Sequence, residues 1–125
     1  MTREGLKYLN DCFEELGLPY SFMVWNADLT FPYFVGEYSE IEPMWEGGLQ
    51  EGTFLLTGTT NGSYLELEVI KEMIREYFPD TGRTAILPDG SGIAVCYSNS
   101  FPVMTGEQGL NRIQINLSIK QWKGC

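Results

Sequence analysis

No histidine occurs anywhere in this chain of 125 residues. The commonest general base at neutral pH is therefore missing, and with it the serine and cysteine triads built on imidazole and most zinc sites. Three cysteines, Cys12, Cys96 and Cys125, are scattered too widely for Cys-x-x-Cys metal spacing. Their odd number reads as reduced thiols rather than a disulfide framework. Cys12, on an apolar helical stripe, and Cys96, in an apolar run, read as core thiols, while Cys125 reads as exposed.

Carboxylates are plentiful but do not converge. Asp11, Glu14 and Glu15 cluster early, and Glu68, Glu72 and Glu76 recur every four residues, with Lys71 and Arg75 at three- and four-residue spacing beside them. That pattern is a solvated helix face. The acids between Glu37 and Glu51 do not follow calcium-loop spacing, and no two carboxylates stand out as an acid/base pair. Gly58-Thr-Thr-Asn-Gly-Ser63 lies where a phosphate loop would, between a strand and a helix start. The phosphate-loop pattern needs Lys after its second glycine, however, and here Gly62 is followed by Ser63 and Tyr64. Glu66 and Glu68 in the first turn would repel an anion. The segment reads instead as a turn closed by a capping box, with the Ser63 hydroxyl on the N–H three residues on and Glu66 reaching back. The expectation is a protein without catalysis, cofactor or metal.

Charge narrows the partners. Eight Lys and Arg stand against 17 Asp and Glu, for a net charge of -9 and a pI near 4.3. Such a chain repels phosphate backbones, so no sequence-specific nucleic acid is expected. No apolar run is long enough to cross a bilayer, and Met1-Thr-Arg-Glu-Gly5 has no apolar leader character, so the reading is a cytoplasmic protein with no membrane partner. The length fits a single domain over residues 1–125 that buries roughly two-thirds of its unfolded surface.

The elements follow from periodicity. Leu6, Leu9, Phe13 and Leu16 make one stripe of a helix over Thr2–Leu16, capped by Thr2 and ended by Gly17 and Pro19; Gly5 weakens its first turn. Strands are predicted over Tyr20–Trp25, Phe31–Tyr38 and Thr53–Thr57, the last two as a hairpin across a long connection from Ser39 to Gly52. A second helix starts at Ser63 and stops at Pro79, with Leu65, Val69, Ile70, Met73, Ile74 and Tyr77 as its buried face. Asp89-Gly90 supplies a tight turn between short strands, and Ile93–Tyr97 continues outward. In the final strand Arg112, Gln114, Asn116, Ser118 and Lys120 alternate with Ile113, Ile115, Leu117 and Ile119, one face oily and the other wet. The fold class is α+β: a two-layer domain, its sheet mainly antiparallel, with both helices on the apolar face.

This layout, an N-terminal helix, aromatic strands, a Trp-bearing loop, a mid-chain amphipathic helix and the ending Leu110-Asn-Arg-Ile-Gln-Ile-Asn-Leu-Ser-Ile-Lys-Gln-Trp122, resembles the small tail-completion or tail-terminator proteins of long-tailed bacteriophages and prophages. The resemblance implies a virion assembly subunit that forms a ring-like homo-oligomer, typically a hexamer. It would meet tail-tube and head-connector proteins, first in the bacterial host cytoplasm and then in the virion tail. It carries over no active-site residue. A ring needs a heterologous contact, one patch meeting a different patch on the next copy. The candidates are the Tyr38 to Trp45 loop, with Tyr38, Met44 and Trp45, and the outer face of the last strand, with Gln114, Asn116 and Trp122. The alternative is a small-ligand or protein-binding adaptor or immunity-type module of a bacterial system.

Overall fold

The structure, a computed structural model, describes residues 2–22, 31–41 and 49–122. Helix α1 spans Arg3–Glu15, and Thr2 caps it as expected, its Oγ1 accepting from the Gly5 N–H at 3.1 Å. Three strands follow: β1 (Tyr20–Phe22), β2 (Tyr33–Ile41) and β3 (Leu49–Thr60). Helix α2 spans Tyr64–Tyr77, and the chain closes with β4 (Arg83–Ile86), β5 (Gly92–Val103) and β6 (Asn111–Trp122). Residues 23–25 of the first predicted strand lie outside the described residues. The predicted connection from Ser39 is shorter than expected, because β2 continues to Ile41 and β3 begins at Leu49.

The α+β class holds, and the sheet differs from expectation in two ways. Its order is β1-β2-β3-β6-β5-β4, and β1 runs parallel to β2 while the other four pairings are antiparallel, so the sheet is mixed. It also curls into a half-barrel instead of lying as an open layer. A register shift between Tyr97 and Asn99 gives β5 an extra residue against β6, and such a bulge bends its strand.

Both helices sit on one face. Alternation sends Phe54 and Leu56 of β3, Ile113 to Ile119 of β6, and Ile93 and Val95 of β5 to the same side, where they meet Leu9 and Phe13 of α1 and Leu67 and Ile74 of α2. The Phe13 ring is the hub, 4.7 Å from Tyr20, 5.9 Å from Phe54 and 6.1 Å from Phe78. Two strand glycines make room for rings: a Cβ on Gly36 would meet Phe54, and one on Gly58 would overlap Phe34. Gly5 has the same use. A Cβ there would come within 2.7 Å of Gln121 Nε2, so the residue that weakens the helix also lets it lie against β6. Gln121 occupies a core position, 5% exposed, and its amide is satisfied by the helix start: it donates to Thr2 Oγ1 at 2.9 Å and accepts from the Thr2 N–H at 3.2 Å.

Helix α2 is rotated relative to its predicted burial. Leu67 and Ile74 are buried, with Tyr64, Ile70 and Tyr77 half-buried against the core, whereas Leu65, Val69 and Met73 face solvent. The cap also differs. Ser63 Oγ accepts from the Leu65 N–H at 3.2 Å, and Glu66 turns aside to accept from Thr60 Oγ1 at 3.0 Å. Thr60 in turn accepts from the Gly62 N–H at 3.1 Å, so protein groups close this turn.

Candidate functional site

The side of the sheet opposite the helices is an open face, and the register lays it out in rows. Tyr33, Thr59, Arg112 and Val103 form one end; Val35, Thr57, Gln114 and Phe101 the next row; Glu37, Leu55, Asn116 and Asn99 the third. Ser39, Thr53, Ser118 and Cys96 follow, then Glu51, Lys120, Ala94 and Thr84, and finally Trp122, Gly92 and Ile86. Among the described residues, the charged side chains on this face are Glu37, Glu51, Arg112 and Lys120, although the chain carries 17 acids. The centre is threonine, serine and amide among Val35, Leu55 and Ala94.

A line of side-chain hydrogen bonds fixes that centre. Gln114 Nε2 donates to Asn116 Oδ1 at 3.0 Å, and Asn116 Nδ2 donates to Asn99 Oδ1 at 3.1 Å. Arg112 Nε donates to Thr59 Oγ1 at 3.1 Å. The ladder crosses from β6 to β5 at the bulge and presents preordered amides to whatever covers the face. At the far end Trp122 and Ile86 are exposed beside an open cleft of about 300 Å³, lined by Thr84, Ala85, Ile86, Gly92, Ile93 and Trp122. Gly92 is part of that lining, and a Cβ there would stand in ordinary van der Waals contact with the Trp122 ring, at 3.4 Å.

The candidate residues are only partly brought together. Gln114, Asn116 and Trp122 share the open face, as the alternation of the final strand predicts. Tyr38 does not join them. It is inside β2, not in a loop, and its register position belongs to the helix side, where its ring stacks 6.0 Å from Phe22. Met44 and Trp45 lie outside the described residues. Cys96, expected in the core, is half-buried on the open face because the alternation of β5 points Ile93 and Val95 inward instead. Sequence reading missed the contribution of Asn99, Thr57, Leu55 and Ile86.

The densest titratable cluster lies elsewhere, where α1, α2 and β4 meet. Tyr77 donates to Glu15 Oε2 at 2.6 Å, and the Arg83 guanidinium lies 3.9 Å above the Tyr77 ring. Burial, with the neighbouring carboxylate and thiol, pushes the Tyr77 phenol up, and burial likewise pushes up Tyr8 and the Cys12 thiol. Protonated at neutral pH, these groups staple two helices to the edge of the sheet. Among the described residues no group of three or more Cys, Asp or Glu is placed to hold a metal ion. No helix among them is long and apolar enough to cross a membrane.

Compared with known families and with curated proteins, the chain gives no match to any family model and none to any curated sequence.

Proposed function

We propose that this protein is a non-catalytic assembly subunit of a long-tailed bacteriophage or prophage tail, a terminator or head–tail joining component. It would bind copies of itself and its neighbours through the open face of its sheet. One observation carries the contact reading: a chain of net charge -9 keeps the centre of one whole sheet face free of carboxylates and cations and fills it with amides, hydroxyls and apolar groups. Depletion of charge at the centre is one part of the composition of a protein interface. The tail assignment rests on the resemblance in layout.

The edges of the sheet fit head-to-tail joining. β4 pairs only with Gly92–Val95 of the 12-residue β5, so β4 leaves the outer edge of Ser98–Val103 uncovered. There Phe101 and, just beyond the strand, Met104 are exposed. An open edge and an open face on one copy are two different patches, as a heterologous ring contact requires. The acidic remainder of the surface keeps such a ring from holding DNA phosphates as they pass.

The test is assembly with and without Asn116→Lys. This change puts a cation at the centre of the face and costs below about 1 kcal/mol of stability, since the lost amide bonds are partly exposed. Native mass spectrometry and electron microscopy with tail tubes should show rings or tube caps for the wild type and neither for the variant. A variant that caps tubes as well as the wild type, or a wild type that neither oligomerises nor changes tube length, would refute the reading.

A further inference from the structure

We propose that the solvent face of α2 is a second docking surface, one that takes a basic amphipathic helix of another protein. Leu65, Val69 and Met73 are 70%, 62% and 42% exposed and stand at four-residue spacing, a continuous apolar row about 12 Å long on one side of the helix. They add nothing to the core, which α2 completes with Leu67, Ile74 and the adjoining Phe78 on its other side. A row parallel to a helix axis is the shape that another helix packs along, ridge into groove.

The charge around the row selects the occupant. At about 100° per residue, Glu66 and Glu72 lie about 60° to either side of Val69, and Glu76 lies nearly in line with it. Both cations of α2 point elsewhere. Lys71 is about 200° round the helix from Val69, held at 2.5 Å by Glu68 with a longer 3.7 Å contact to Glu72. The Arg75 guanidinium lies over the Tyr97 ring, 5.1 Å from its centroid.

A second copy is a poor match. Two α2 helices paired antiparallel about Val69 would set Leu65 against Met73 but also bring both Glu66 carboxylates onto one rim of the seam and both Glu72 carboxylates onto the other, like charges along either flank. Any other surface of the same chain belongs to a molecule of net charge -9. A helix with an apolar stripe flanked by Lys and Arg satisfies both the row and its rim. Because α2 covers the inner face of the sheet, this surface is on the far side of the molecule from the open face, and both can be occupied at once.

The probe is a designed peptide of about 18 residues with Leu at helical spacing flanked by Lys and Arg. Beside it stands a peptide of the same composition whose leucines are scrambled. Binding is followed by fluorescence anisotropy and methyl NMR on the full chain. The first peptide should bind saturably and shift the methyls of Leu65, Val69 and Met73. Val69→Glu, at an exposed position, should weaken binding about tenfold, and joint replacement of Glu66, Glu72 and Glu76 by Gln should weaken it about threefold and flatten its salt dependence. Equal binding of the scrambled peptide, shifts centred elsewhere, no saturable binding, or self-association that Val69→Glu abolishes would each overturn the proposal. The Asn116→Lys variant should bind the peptide like the wild type, so failure here is separable from failure of the assembly reading.

Discussion

Gly58→Ala tests whether the sheet depends on glycine as a seat for an aromatic ring. The new methyl would fall 2.6 Å from Cζ and 2.8 Å from Cδ2 of Phe34, and closer still to Cε2. Phe34 is fully buried, so its ring cannot swing out to solvent. Overpacking of this kind costs about 1–3 kcal/mol. The loss of unfolded-state freedom that accompanies Gly→Ala offsets about 0.5–1 kcal/mol of it. The net expectation is a loss of about 1–2 kcal/mol, or a fall in Tm of roughly 5 °C for a domain of this size. Urea denaturation should give this loss with the m-value unchanged. Phe34→Leu removes the obstructing ring atoms, so Gly58→Ala should cost roughly nothing in that background, a coupling of about 1–2 kcal/mol. Additivity of the two changes to within about 0.5 kcal/mol, or a Gly58→Ala protein more stable than the wild type, would refute the argument.

Two further outcomes follow from groups described above. Thr2→Ala removes both the acceptor for the Gly5 N–H and that for the Gln121 amide, and should lower the unfolding free energy by about 1–2 kcal/mol in urea melts. At alkaline pH the raised Cys12 thiol sets the sign: its stabilising contribution is whole below the unfolded thiol value of about 8.5 and is lost as pH rises through the higher folded value. Thermal melts from pH 8 upward should therefore show stability falling first with Cys12, then with Tyr77 and with Tyr20, whose phenol burial pushes up to about 12. Cys12→Ala should remove the first part of that decline, which the melts would show as a flat Tm up to the tyrosine range.

Periodicity and punctuation located both helices and most strands of this chain. The alternation of the final strand was decisive, because four inward β-branched or leucine residues between polar ones allow only one orientation on a covered sheet. What alternation does not encode is which strands neighbour each other. The parallel β1–β2 contact has no local signature, and the bulge at Tyr97 is a mismatch between two strands rather than a property of either. The second helix shows a different limit. Its apolar residues occupy nearly the whole circumference, so spacing alone does not tell which of Leu65 or Leu67 enters the core. Of the candidate site, the half on β6 was legible from its wet face, whereas the roles of Asn99 and Ile86 depend on the register of β5 and β4.

The placement of β6 has a consequence for how the molecule comes into being. Residues 111–122 lie in the middle of the sheet, between β3 and β5, and join two groups of strands, β1-β2-β3 and β4-β5, that among the described residues share no backbone pairing with each other. As a ribosome delivers the chain, each half waits with a 12-residue edge unsatisfied until this segment emerges. A message truncated ahead of Asn111 would thus release not a smaller version of the fold but two incomplete ribbons, each inclined to pair with the wrong neighbour.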